Sequence, residues 1–335
     1  MFYLAFVGIH LVGVGEALKV TFVITAIAVV ALLVFIVAII PEFSTSNLTD
    51  IPPDDSAGSS DFLPFGYAGI WAAFPYAIWF FLAIEGVPLA AEETRDPKRD
   101  MPRGLIAGMG VLLLFAALML TFAPGGSGSS TIAESGNPPV DALIGVGAGG
   151  GVTDFVNWVG LFGLIASFFS IIYAYSRQLF ALSRAGYFPR ALSVTSSRNV
   201  PWIALLLPAC VGFLLAAFWE SQGARILNIA VFGAAVSYVL MMLSHIVLRA
   251  REPELERGYR TPGGAKTSGV ALVLAVLAVV ATFLVDTTAA LITLGVYLAA
   301  AAYFGLYSRH HLVAAAPEEE FEAIAKAESE LAGSH

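Results

Sequence analysis

The stretch Ala72–Arg103, AAFPYAIWFFLAIEGVPLAAEETRDPKRDMPR, decides how the whole chain is read. An apolar run carries one carboxylate, Glu85, meets Gly86 and Pro88, and empties into a charged segment from Glu92 to Arg103. A carboxylate inside a membrane span costs at least ~2.5 kcal/mol on insertion scales, so such a group faces a cavity or a partner rather than lipid. Glu85 is therefore read as buried. Gly86 and Pro88 predict a locally unwound helix, and non-helical backbone at membrane depth is tolerated only where protein or a water-filled cavity surrounds it. These features predict a passage for a polar solute at the break. The other reading is a Pro-kinked structural helix whose glutamate pairs with a neighbour or reaches the membrane surface, because Gly and Pro are ordinary in membrane helices.

Outward from that stretch, apolar windows recur along almost the whole sequence. Of its residues 58% are apolar and only 13% charged, and the mean hydropathy is +0.81, far outside the range of a soluble domain. A span needs roughly 20 apolar residues. Such windows fall at 17–40, 66–91, 104–123, 153–177, 202–219, 226–248, 269–285 and 288–307. Phe2–Val14 is shorter than a span, starts directly after Met1 without a basic lead, and reads as the tail of a helix rather than a signal peptide. Without period-two alternation a membrane barrel is excluded. The fold class is an all-α polytopic membrane protein, with eight complete spans and one fragment in a transmembrane domain over 1–310, followed by an acidic tail over 311–335.

The net charge of −8 is less informative than its placement. Arg95, Lys98, Arg99 and Arg103 share one loop; Arg177, Arg184, Arg190 and Arg198 a second; Arg249, Arg251, Arg257, Arg260 and Lys266 a third. These alternate with segments 41–65 and 124–152, which contain no Lys or Arg. Lys and Arg mark the cytosolic side. The C-terminus is thus predicted cytosolic and the other two segments external, with Arg225 the single outer cation.

Several other signals are weighed and set aside. Gly145–Gly150 reads as G-x-G-x-x-G, but no strand precedes it, so it is read as a flexible linker and not a nucleotide loop. Asn47-Leu48-Thr49 is a glycosylation sequon, relevant only in a glycosylating host. The one cysteine, Cys210, excludes an intrachain disulfide and reads as a small buried hydrophobe. No basic stripe suggests nucleic acid, and the five histidines show no metal or hydrolase spacing. Nothing points to an enzyme or a cofactor.

Three stretches carry a resemblance. Trp79–Gly86 with Glu92–Arg103 resembles the sixth helix, and the loop after it, of the amino acid/polyamine/organocation permeases. Ile172–Pro189, IYAYSRQLFALSRAGYFP, resembles their eighth helix and its cytosolic extension, and Arg249–Gly264 the loop after their tenth. Within that superfamily, PYAIWFFLAIEGVPLAAEE is most similar to the ethanolamine permease branch. The resemblance implies a LeuT-like inverted-repeat transporter fold in a bacterial cytoplasmic membrane, with discontinuous first and sixth helices meeting at a midplane site. On that register the chain starts inside the fourth helix, so the first three helices and half of the binding site would lie outside this sequence.

Carried over residue by residue, the resemblance assigns substrate-facing backbone to Phe80, Phe81, Leu82 and Ala83 and an aromatic lid to Trp79. Carbonyls accept from the three N–H donors of an ammonium, and an indole face attracts a desolvated cation. Packing in the core or against lipid is the plainer reading of Trp79 alone. Glu85 would lie beside the site and act in gating or coupling. Ser167, Ser170 and Tyr173 are spaced three apart and share a face of their helix; they line the pathway or hold an ion, or else bond neighbouring helices. Some proton-coupled relatives carry a lysine in the fifth helix at the position of Ala28, and this chain has none there. H+ and Na+ both remain as coupling ions. The cations at 95–103 either pair with Glu92, Glu93, Asp96 and Asp100 to close an inner gate or set topology. The expected activity is secondary transport of a small amine, ethanolamine first, or of an amino acid. The reading from another class is a non-transporting sensor or assembly protein derived from a permease.

Overall fold

The computed structural model describes residues 7–8, 15–82, 84–94, 96–196, 200–219, 222–255 and 257–313; the side chains of residues 15–21 and 89–93 fall outside that description. The described residues form helices and no strands. The long helices are α1 (Gly15–Ile39), α2 (Gly66–Trp79) and α3 (Pro97–Ser127); after the short α4 (Ser129–Ala133) and α5 (Pro138–Gly145) come α6 (Gly150–Arg184), α7 (Trp202–Phe218), α8 (Gly223–Arg251), α9 (Ala265–Val285) and α10 (Thr287–Leu306). Seven helices are long and apolar enough to cross a membrane, and the shorter α7 has 17 residues, at the lower limit for a span. The eight complete spans read from the sequence thus fall on seven such helices and the shorter α7, the second of them interrupted after Trp79. Most of the fragment Phe2–Val14 and most of the acidic tail lie outside the described residues.

Helix choice follows from the solvent. In lipid every backbone N–H and C=O must be satisfied within the chain, and a helix does this segment by segment. Side chains then sort by size rather than polarity. The buried face of α9 is Ala275, Ala278, Ala281 and Thr282, while Val270, Val273 and Leu284 are exposed. Small residues let two helices approach closely, and large aliphatic ones meet lipid without cost. Hydroxyls on these faces bond back into their own helix, Thr282 Oγ1 to the Ala278 carbonyl at 2.8 Å and Thr293 Oγ1 to that of Ala289 at 2.9 Å.

The chain divides into two compact units. In the unit of 21–167 and 222–293, α8 and α9 pack as a hairpin against α2. A second cluster, Phe35, Ile36, Ile39, Ala123, Ala142, Leu143 and Val156, joins α1, α3, α5 and the start of α6. The other unit, from 1–20, 168–221 and 294–335, packs Ile172 of α6 against Leu205 and Ala209 of α7.

The polar stretch after α1 is fastened down. The Asn47 amide donates to the carbonyls of Gly125 and Gly126, at 2.9 and 3.0 Å. The Asp50 carboxylate accepts from the Ser130 N–H at 3.0 Å and from its hydroxyl at 2.7 Å. Farther along, the Asp54 N–H meets the Pro64 carbonyl at 2.9 Å and closes a small loop whose tip carries the exposed Phe62.

Three sequence expectations are corrected. The helix in 66–91 breaks at Trp79–Leu82, before Gly86 and Pro88, and resumes as a 3-10 segment, Ile84–Glu93. Glu85 is exposed, not buried. Cys210 is exposed on α7 rather than buried, because the buried side of that helix is Ala204, Leu205 and Ala209. The G-x-G-x-x-G run joins α5 to α6, with Gly147 at φ +69° in the turn and no strand before it.

Candidate functional site

The break that ends α2 is built from local bonds and held by distant residues. Pro75 is buried inside α2. After Trp79 the bonding shortens by one residue: the Phe81 N–H reaches the Ile78 carbonyl at 3.0 Å and the Leu82 N–H that of Trp79 at 3.3 Å. Such three-residue closures bond with poorer geometry than an α-turn and mark hinges or strain when they occur mid-helix. Pro88 has no N–H, so an α-helical bond from residue 88 to the Ile84 carbonyl cannot form.

α3 makes room for this segment. A Cβ on Gly108 would stand 3.4 Å from Ile84 Cδ1, and one on Gly104 would stand 3.9 Å from Val87 Cγ1. The two glycines are four apart, so they present one bare strip to the 3-10 segment.

Across the segment, the Tyr238 hydroxyl of α8 donates to Glu85 Oε2 at 3.2 Å. A polar partner is what a carboxylate in an apolar span requires. The residue itself was not singled out from the sequence; its signal is a phenol in mid-span, next to Ser237.

The predicted residues are placed as follows. Trp79 is the last residue of α2, 47% exposed, and Phe80 after it is 41% exposed, so both rings have an accessible face. Phe81 and Leu82 are half-buried in the turn, and Ala83 lies outside the described residues. Ser170 and Tyr173 belong to the other compact unit and are described with it. There Tyr173 is buried, with the Arg177 guanidinium 4.7 Å from its ring centroid, and Ser170 is exposed. Ser167 is exposed on the same helix, so the three positions do not share one environment.

The ion pairs considered for 92–103 find no support among the described side chains. None of Lys98, Arg99 and Arg103 is paired with Asp96 or Asp100; Arg95 and the side chains of Glu92 and Glu93 lie outside the described residues. Instead Lys98 packs its stem against Gly258 in the loop after α8. Among the described residues no group of His, Cys, Asp and Glu could hold a metal.

A separate cavity of about 480 Å³ opens between α1 and the first half of α6, lined by Ala28, Ala31, Asn137, Asn157, Gly160 and Gly163 among others. None of the predicted site residues lines it, and no charged group does. Its polar feature is the Asn137 Nδ2 bond to Asn157 Oδ1, at 3.2 Å.

Residues 1–306 match a family model described as Amino acid permease. The chain belongs to the amino acid permease family. It is 31% identical to an uncharacterized transporter of Rhizobium meliloti (strain 1021), over 81% of this chain and 57% of that protein. It is 28% identical to the branched-chain amino acid permease BcaP of Bacillus subtilis (strain 168), over 75% of this chain and 53% of that protein. It is also 28% identical to the D-serine/D-alanine/glycine transporter of Escherichia coli (strain K12), over 67% and 49% of the two chains. The chain spans about half the length of these relatives. Membership in this permease family agrees with the eight apolar helices of an integral membrane protein and with the amino acid/polyamine/organocation superfamily.

Proposed function

We propose that this permease-family chain carries a gated binding element for a small solute with a primary ammonium group, moved by secondary transport. The observation that carries this is the end of α2 at Trp79, followed by a turn through Phe80–Leu82 and a 3-10 segment tied to α8 through Glu85 and Tyr238. Carbonyls leaving a broken helix accept from an ammonium, and the exposed Trp79 face adds up to about 2 kcal/mol of cation attraction once water is excluded. Ser170 and Tyr173 of α6, in the other unit, are proposed as substrate-binding residues on the resemblance alone. The Glu85–Tyr238 bond is the gate contact: it forms while the 3-10 segment lies against α8 and breaks when the segment swings. The C-terminus faces the cytosol, and 41–65 and 124–152 face outward.

Two substrates are proposed within this class. Ethanolamine is supported by the likeness of 75–93 to its permeases, and it needs no partner for a carboxylate. A small neutral amino acid is supported by the names of the Bacillus and Escherichia relatives. The test is binding of labelled ethanolamine to the purified chain in nanodiscs, with alanine and uncharged ethylene glycol as competitors. Ethanolamine should bind, ethylene glycol should not compete, and Trp79→Ala should weaken binding by about tenfold. Equal binding by Trp79→Ala, or equal competition by ethylene glycol, would overturn the ammonium reading. Stronger competition by alanine than by ethanolamine itself would decide for the amino acid.

A further inference from the structure

The motif Ser183–Pro189 plays no part in the proposed binding chemistry, yet it is among the most heavily bonded turns of its unit. α6 ends there in a paired cap: the Tyr187 N–H reaches the Leu182 carbonyl at 2.9 Å and the Gly186 N–H that of Ser183 at 3.1 Å, with Gly186 at φ +90°. This bond pair around a left-handed glycine is a standard helix stop. The Ser183 hydroxyl adds a bond to the Pro189 carbonyl at 2.7 Å.

Against the cap lies the end of α10 with the residues after it. The Ser308 hydroxyl donates to the Tyr187 carbonyl at 2.7 Å, and the Val313 N–H to that of Ala185 at 3.1 Å. Ser183 and Ser308 are each 1% exposed, so water cannot replace either bond. A Cβ on Gly186 would overlap the His311 carbonyl oxygen and stand 2.9 Å from Leu312 Cα. Position 186 thus needs glycine twice, for its φ and for the approach of 311–312. Aromatic contacts extend the interface: Tyr187 with Phe304 at 6.1 Å, Phe188 with Tyr303 at 6.0 Å, and Tyr307 stacked on His311 at 4.1 Å.

We propose that the turn Ala185–Pro189 is the docking seat of the chain's own segment Ser308–Val313, and that seating this segment sets the position of the half of α6 bearing Ser170 and Tyr173. Between Ser170 and Arg184 the helix contains no Gly or Pro, so it transmits a displacement at its end instead of absorbing it. The consequence for transport rests on the proposed role of Ser170 and Tyr173; the seat itself does not.

The test uses the full chain in lipid vesicles, with Cys210→Ser and one new cysteine, either Leu312→Cys or Ser170→Cys, labelled by a maleimide. Ser308→Ala should speed labelling at 312 by about tenfold, the change in open population expected from one buried hydrogen bond, and Gly186→Ala, which drives a Cβ into the His311 carbonyl, should speed it at least as much. The same variants should change the rate at 170, and Ser308→Thr, which keeps the hydroxyl, should restore both. Unchanged labelling at 312 would show that the segment is not seated. A change at 312 with an unchanged rate at 170 would show that the seat positions nothing, and would equally overturn the proposal. Failure of ethanolamine to bind would remove the proposed substrate while leaving both labelling rates as stated.

Discussion

Replacing Asp286 with alanine should cost the fold about 2–4 kcal/mol, most of it from groups the aspartate leaves behind. Asp286 sits between α9 and α10, and its Oδ1 accepts the Ala289 N–H at 2.9 Å, capping α10. Loss of such a cap costs about 1 kcal/mol. Its Oδ2 accepts from Asn228 Nδ2 at 3.2 Å, and Asn228 is only 7% exposed with its own Oδ1 already unpaired. Stranding that second polar atom costs about 1–3 kcal/mol. The Arg225 pair, at 3.9 Å with the arginine side chain 42% exposed, adds at most about 1 kcal/mol. Asp286→Asn keeps one carbonyl acceptor for the Ala289 N–H and puts an NH2 where Oδ2 was, which a turned Asn228 amide meets with its own unpaired Oδ1, so it should lie within about 1 kcal/mol of the parent. The assay is thermal unfolding of both variants in one detergent. Equal midpoints for alanine and asparagine would refute the reasoning, because charge alone would then account for the residue. The same site sets a pH dependence. The Ala289 N–H, with help from Asn228 and Arg225, holds the Asp286 carboxyl below its ordinary 3.8. A lowered folded value means the contribution is fully present above pH 3.8 and is lost as pH falls through the lower folded value. Asp286→Asn should flatten that acid-side loss.

Glu85→Ala and Tyr238→Phe should each loosen residues 84–93 in hydrogen exchange, and the double variant should be no looser than the worse single one, because both remove one bond. In transport, Glu85→Gln should slow turnover more than it weakens binding; a large affinity loss with intact turnover contradicts the gate assignment. Asn47→Ala frees the Gly125 and Gly126 carbonyls and should cost about 1–3 kcal/mol in thermal unfolding. A glycan on Asn47 Nδ2 removes one of its two N–H donors, so both bonds cannot persist, and a glycosylated form of undiminished stability would count against them. Gly108→Ala should be tolerated, whereas Gly108→Val should overpack Ile84 at a cost of about 1–3 kcal/mol; equal melting of the two would mean that the 3-10 segment does not rest on α3.

What the sequence discloses here is whatever lipid imposes locally. Twenty-residue apolar runs become helices because nothing else satisfies their backbones, so the eight spans were legible before any coordinates. The position of the break was not. Gly86 and Pro88 advertise weak backbone, but the α-helix ends at Trp79, where the placement of Ile84 and Val87 against Gly104 and Gly108 of α3 takes over. Glu85 was read as buried because its neighbours are apolar, yet in a membrane chain apolar neighbours often define the outer surface. Its partner Tyr238 lies 153 residues on, and Asn228 lies 58 from Asp286, separations at which no local pattern operates. The Gly186 motif was visible as a resemblance, while the contact that makes glycine obligatory comes from His311 and Leu312.

The loop closed by the Asp54 bond to Pro64 makes a practical insertion point. Its two ends are already joined, so lengthening its tip adds only the slow logarithmic closure term, about 0.6 kcal/mol for each doubling. An epitope placed between Ser60 and Phe62 would leave the Asn47 and Asp50 fastenings untouched. Antibody access to that epitope in sealed cells then reports directly which face of the membrane the loop occupies, without disturbing a single span.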